Sequence, residues 1–137
     1  MTAAIAWLAA YLLLACVSWL MTAPPESSPR SAVEILFGGV MGAPLLENLL
    51  VVAALAVLGN WFSDRVAVVL MTVIAVALHA VFASWSGLAA LVLFMTMGVS
   101  YQLWKPQGAK LAFLVIFLQH ALFNLPGTAE AAFHALS

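Results

Sequence analysis

The sequence predicts an all-α fold, a polytopic transmembrane helical bundle that forms a single domain over residues 1–137. Hydrophobic residues make up 66% of the chain and charged residues only 7%, and the mean hydropathy is +1.17. Since a soluble domain carries about 25% charged residues, this composition indicates a protein embedded in a lipid bilayer. The formal net charge of −1 leaves no basic patch, which argues against nucleic acid as a partner.

Apolar segments of spanning length recur along the chain, and a spanning helix needs about 20 mostly apolar residues. Short polar or proline-containing connections separate the segments, and tryptophans stand near their ends, as in the aromatic belts of membrane proteins. We therefore predict about five spanning helices: Ala3–Met21, Val33–Leu58, Val66–Ser84, Leu88–Trp104 and Leu111–Leu125.

Basic residues predict the orientation of these helices. No basic residue precedes Arg30, so the first segment is interpreted as a retained helix rather than a cleaved signal. Arg65, Lys105 and Lys110 lie in the second and fourth connections, on the side of the membrane opposite Arg30. Because lysine and arginine are enriched in cytoplasmic loops, the N-terminus is predicted inside and the C-terminus outside. The expected location is the plasma membrane, of the prokaryotic inner-membrane type.

The second segment is expected to be irregular. Gly38, Gly39 and Gly42 give it a face of small residues suited to close helix contact. Pro44 removes the backbone hydrogen bond to Val40 and should kink the helix. Helix packing alone would explain these glycines and the proline. The kink would also direct the side chain one turn later into the bundle.

Glu47 is that side chain, and it is the only charged residue in the interior of an apolar segment. His79 and His120 also lie within apolar segments, and Asn124 shares a helix face with His120 because it follows four residues later. A carboxylate at the centre of a spanning helix costs about 2.5–3.5 kcal/mol on insertion scales. Taken singly, each residue has a packing interpretation as an interhelical hydrogen bonder. Taken together, they predict a polar site inside the bundle.

At these residues the chain resembles the CAAX-protease and bacteriocin-processing family of glutamic-type intramembrane proteases. The family carries a Glu-Glu-xxx-Arg motif, a Phe-xxx-His motif and a His-xxx-Asn motif on successive helices of a four-helix core. Here the order is Glu47-Asn48, then Ala75-xxx-His79, then His120-xxx-Asn124. The resemblance covers residues 33–127, with the first helix as an addition.

Three positions depart from the family pattern. Asn48 stands at the second Glu, Val52 at the Arg and Ala75 at the Phe. The absent Glu and Arg would lie four residues apart, an ion-pair spacing, so their joint loss leaves no orphan charge. The catalytic positions are all retained, which favours an active enzyme.

The resemblance implies a metal-independent intramembrane endopeptidase without a cofactor. Glu47 and His79 would hold and deprotonate a water molecule, and Glu47 would return the proton to the leaving amine. His120 and Asn124 would donate hydrogen bonds to the oxyanion, and removing one such donor costs about 10²–10³-fold in rate. The substrate would be a membrane-anchored protein or peptide. An outward-facing site favours the branch of the family that removes C-terminal sorting tails.

Three alternatives remain open at this point. Glu47, His79 and His120 would also supply the three protein ligands of an open zinc site. A non-catalytic immunity or scaffold protein of the same fold would explain the lost Glu and Arg. A small permease or proton relay would use intramembrane Glu and His residues as well.

Overall fold

The computed structural model describes residues 31–82 and 86–137. Within these ranges the chain is helical, without a strand. The α-helices are α1 (Ala32–Phe37), α2 (Ala43–Leu58), α3 (Asp64–Phe82), α4 (Ser86–Trp104) and α5 (Ala109–His134). A π-helical turn, Gly38–Gly42, connects α1 to α2, and a 3-10 turn, Lys105–Gln107, lies between α4 and α5.

Three helical stretches among the described residues are long and apolar enough to cross a membrane. They are Ala32–Leu58, Leu88–Gln107 and Ala109–His134, and they match the second, fourth and fifth predicted segments. Helix α3 corresponds to the third predicted segment but is not among these three, and the first predicted segment lies outside the described residues. The described part of the chain is therefore all-helical and has the spanning helices of a membrane protein, and the number of five spans stays a prediction.

The last helix is longer than the sequence indicates. The predicted segment ends at Leu125, whereas α5 continues through Pro126 to His134. A proline inside a helix removes one backbone hydrogen bond and does not by itself end the helix in a membrane. The part of α5 after Pro126 therefore belongs to the bundle, and Ala132 in it is buried.

Local side chains define where helices begin and turn. Ser31 and Glu34 form a capping box at the start of α1, with Ser31 N–H donating to Glu34 Oε2 at 2.7 Å. Asn60 closes the other end of this span by donating to the carbonyls of Ala56 and Val57. Gly108 turns the chain into α5 with a φ of 131°, which only glycine adopts without strain.

The irregularity predicted in the second segment is present as the π-helical turn Gly38–Gly42. The Ala43 N–H donates to the Gly38 carbonyl, five residues back, instead of to the carbonyl four residues back. Pro44 follows directly and is fully buried. In the π register its backbone nitrogen would face the Gly39 carbonyl, and proline has no hydrogen to donate there.

The hydrophobic core lies where α2, α3, α4 and α5 meet. Its tightest approach is at Gly98 of α4, where a Cβ atom would lie 2.8 Å from Val68 Cγ1 and 2.9 Å from Met71 Cε. Gln119 adds a polar link from α5 to α4 by donating to Thr96 Oγ1 at 2.8 Å. Many large apolar side chains lie on the outer surface, among them Val33, Leu88 and Leu122, as lipid contact requires.

Candidate functional site

Three of the four predicted site residues meet in the bundle interior. The Oε2 atom of Glu47 lies 3.7 Å from Nε2 of His79 and 3.6 Å from Nε2 of His120. The three side chains come from α2, α3 and α5. Both separations exceed a direct hydrogen bond, so the groups face one another across a small gap.

The other ring nitrogen of each histidine contacts an oxygen of the protein. His79 Nδ1 lies 2.9 Å from the Ala75 carbonyl one turn earlier, and His120 Nδ1 lies 3.2 Å from Oδ1 of Asn48. A carbonyl oxygen only accepts hydrogen bonds, so in a neutral ring Nδ1 carries the hydrogen and donates it. Each Nε2 then presents a lone pair to Glu47.

Phe94 of α4 holds both imidazole rings in place. Its ring centroid lies 5.0 Å from that of His79 and 6.1 Å from that of His120. Rings at these distances and inclined to one another pack favourably. The two histidines therefore share one apolar support, and neither ring rotates without disturbing Phe94.

Glu47 Oε2 is buried and has no hydrogen-bond partner among the described residues. With the two Nε2 lone pairs it forms a set of three acceptors around one gap. A buried polar atom without a partner is costly, and an ordered water molecule commonly satisfies such atoms. Water carries two hydrogens and an attacking lone pair, so this arrangement suits a bound water that is held for reaction.

Asn124 lies farther along α5 and has a different partner. Its Nδ2 donates to the Gly39 carbonyl at 3.1 Å, and its own carbonyl accepts from Thr128 Oγ1 at 2.7 Å. The Gly39 carbonyl is the one that Pro44 leaves without a donor in the π register. One hydrogen of the Asn124 amide is thereby used within the fold, and the second remains for another acceptor.

Asn48 belongs to the site, although the sequence presents it only as a departure from a motif. It is fully buried, and its Oδ1 orients His120 while its Nδ2 has no partner in the described part of the chain. An amide rotated by 180° would place Nδ2 against the same ring nitrogen, which would then accept, and the ring hydrogen would move to Nε2. The position of Asn48 directly after Glu47 was the one feature of the sequence that could have assigned it to the site.

An open zinc site takes three protein ligands and one water molecule. In the described part of the chain, no group of three or more His, Cys, Asp or Glu side chains has the geometry to hold a metal ion. Glu47, His79 and His120 are the three side chains that the zinc hypothesis names, and they lie close together. Whether zinc takes part is tested by removing metal ions with a chelator.

Comparisons with known proteins return no family. No family model, no curated protein and no solved structure matches this chain. The resemblance to the CAAX-protease and bacteriocin-processing family thus stays a hypothesis that depends on the motif residues themselves.

Proposed function

We propose that this protein is an intramembrane endopeptidase that hydrolyses a peptide bond of a membrane-anchored substrate. The observation that carries the proposal is the approach of Glu47 Oε2 to within 3.7 Å of both histidine Nε2 atoms. A carboxylate, two imidazoles and a gap between them are the parts that activation of a water molecule requires. Their position on apolar, membrane-spanning helices supports a substrate that is itself in the membrane.

Hydrolysis proceeds without a covalent intermediate in this proposal. A water molecule donates one hydrogen bond to Glu47 and the other to Nε2 of His79. As the water oxygen attacks the carbonyl carbon, Glu47 accepts a proton and the carbonyl becomes a tetrahedral oxyanion. Glu47 then gives this proton to the leaving nitrogen as the carbon–nitrogen bond breaks, and one acid and one amine result.

The oxyanion is stabilised by His120 and Asn124. When the Asn48 amide is rotated, its Nδ2 donates to Nδ1 of His120 and favours the ring tautomer that carries its hydrogen on Nε2. The ring releases the Nδ1 proton to water and takes one up at Nε2, so Nε2 becomes a donor towards the gap. The second hydrogen of the Asn124 amide supplies the other donor. An oxyanion donor is worth about 10²–10³-fold in rate, so both assignments are large enough to measure.

The proposed setting is the plasma membrane, of the prokaryotic inner-membrane type, with five spans, the N-terminus inside and the C-terminus outside. In this orientation His79 and Asn124 belong to the outward halves of α3 and α5, and His120 lies at the middle of α5. An outward-facing site favours exported proteins with an apolar C-terminal tail as substrates, and such a tail would be removed after export.

The test is cleavage of a tail-anchored reporter by the full chain in proteoliposomes. We expect Glu47→Gln and His79→Ala to lower the rate by about 10²–10⁴-fold, the usual contribution of a proton-transfer group. Glu130→Gln, which changes an exposed carboxylate on α5, is the matched control and should cleave at the wild-type rate. Equal rates for Glu47→Gln and wild type would refute the proposal, and loss of activity on chelation with recovery on added zinc would place a metal in the gap.

A non-catalytic immunity or scaffold protein is the second candidate. The contacts of His120 Nδ1 with Asn48 and of Asn124 Nδ2 with Gly39 favour it, because the predicted oxyanion residues are already bonded within the fold. It predicts that Glu47→Gln leaves every cellular phenotype unchanged. Binding of a partner that survives Glu47→Gln, together with no cleavage of any reporter, would establish it.

A further inference from the structure

A small cavity opens beside the site. It has a volume of about 80 Å³ and lies between α2, α3 and α4. Val51, Met71 and Phe94 are buried and form its floor, whereas Ile74 on the rim is 45% exposed. The cavity is partly open, so a group from outside the bundle has a path into it.

Glu47 and His79 belong to the wall of the same cavity. Among the described residues they are the only ionisable groups of the lining, and the remaining surface is apolar. A side chain that fills the cavity therefore brings the backbone next to it close to the gap between Glu47 and the histidines. Geometry of this kind positions a peptide bond and selects the residue that flanks it.

The volume limits what the cavity accepts. An apolar cavity of about 150 Å³ holds a benzene molecule, and this space is about half that size, so a small aliphatic side chain fits it better than an aromatic ring. Drug-sized ligands occupy pockets of about 300–1,000 Å³, so the cavity does not enclose a group as long as a prenyl chain. Apart from Glu47 and His79, the described lining offers no hydrogen-bonding side chain, so a charged or polar group that fills the cavity pays a desolvation cost.

We propose that this cavity is a subsite for a small branched aliphatic side chain, the size of valine or leucine, next to the cleaved bond. This inference rests on the proposed peptidase function and names its substrate class. Two alanines, Ala54 of α2 and Ala75 of α3, line the cavity and set its width. A larger residue at either position fills the space.

Ala75→Phe is the decisive variant, tested with membrane-anchored peptides that carry Gly, Ala, Val, Leu or Phe on either side of the cleaved bond. Wild type should cleave the Val and Leu peptides best, because one methylene in an apolar pocket changes kcat/KM by about 10–200-fold. In Ala75→Phe this preference should shift by at least tenfold towards Gly and Ala. Ala54→Val is a milder variant that should give the same direction if Ala75→Phe does not fold.

Ala77→Phe is the matched control, since Ala77 lies on the exposed face of the same helix and does not line the cavity. It should keep the wild-type preference. Cleavage with an unchanged preference in both Ala75→Phe and Ala54→Val overturns the subsite while the peptidase function stands. Absence of cleavage of every peptide by wild type overturns the peptidase function and the subsite with it.

Discussion

Two neighbouring parts of α5 use polar residues in opposite ways. At His120 the polar atoms surround a gap, and Glu47 Oε2 and Asn48 Nδ2 have no partner among the described residues. One turn later, Asn124 Nδ2 donates to the Gly39 carbonyl, and the backbone carbonyl of Asn124 accepts from Thr128 Oγ1. We call these the site end and the clamp end of the helix.

The difference shows what each end is built for. A buried polar atom without a partner lowers the free energy of unfolding by about 1–3 kcal/mol. Stability alone would therefore not select for such atoms at the site end. The clamp end has close packing instead, since a Cβ atom on Gly39 would lie 2.6 Å from Thr128 Oγ1. Unsatisfied groups therefore indicate function more directly than the mere presence of polar residues does.

The largest effect is expected for Asn124→Leu, which tests whether the clamp end also takes part in catalysis. Loss of the oxyanion donor should lower kcat by about 10²–10³-fold, and the unpaired Gly39 carbonyl should lower the free energy of unfolding by about 1–3 kcal/mol. Proteoliposome kinetics and unfolding in mixed micelles measure the two effects separately. A loss of stability with unchanged kcat would assign Asn124 to the clamp alone.

Asn48→Leu sharpens the role of the site end. The variant keeps the volume but leaves His120 without its Nδ1 partner, so kcat should fall at least about tenfold, a part of the 10²–10³-fold that an oxyanion donor contributes. Asn48→Asp should be slow as well, because a carboxylate accepts from Nδ1 but cannot donate to it after rotation. The measurement is kcat and KM for both variants, and a wild-type kcat in Asn48→Asp would contradict the proposed rotation.

The smallest effect is expected for Gly39→Ala, and it concerns stability only. The added methyl group meets Thr128, and overpacking of this kind costs about 1–3 kcal/mol in the free energy of unfolding. Gly38→Ala is the matched control, because its Cβ atom would have nothing within 4 Å. The double variant Gly39→Ala with Thr128→Ala should recover most of the loss, and no recovery would show that the clamp contact is not the cause.

Parts of this architecture can be read from the sequence because they depend on one segment at a time. The apolar lengths indicate the helical spans, and Glu47 is conspicuous as a lone charge in such a stretch. The irregularity before Glu47 is also visible, since Pro44 and three nearby glycines indicate it. The end of α5 was predicted too early, because the apolar stretch ends at Leu125 whereas the helix continues through Pro126 into a more polar sequence.

Other parts depend on tertiary partners and could not be predicted. Asn48 meets His120 across 72 positions of the chain, and Asn124 meets Gly39 across 85. The motif comparison presented Asn48 as a lost acid, whereas its amide offers both an acceptor and a donor to the imidazole. The partner of Asn124 follows from the π register, which no local pattern specifies.

The extra residue in the π-helical turn has a consequence for how the acid is aimed. Successive α-helix residues are about 100° apart around the axis, and the π-helical turn takes up one extra residue by spreading its turn over more residues. A change of Gly38–Gly42 from the π to the α register at unchanged length would swing the Glu47 carboxylate by about that angle, away from both imidazoles. The direction of the acid is thus encoded in a turn that contains no ionisable group at all.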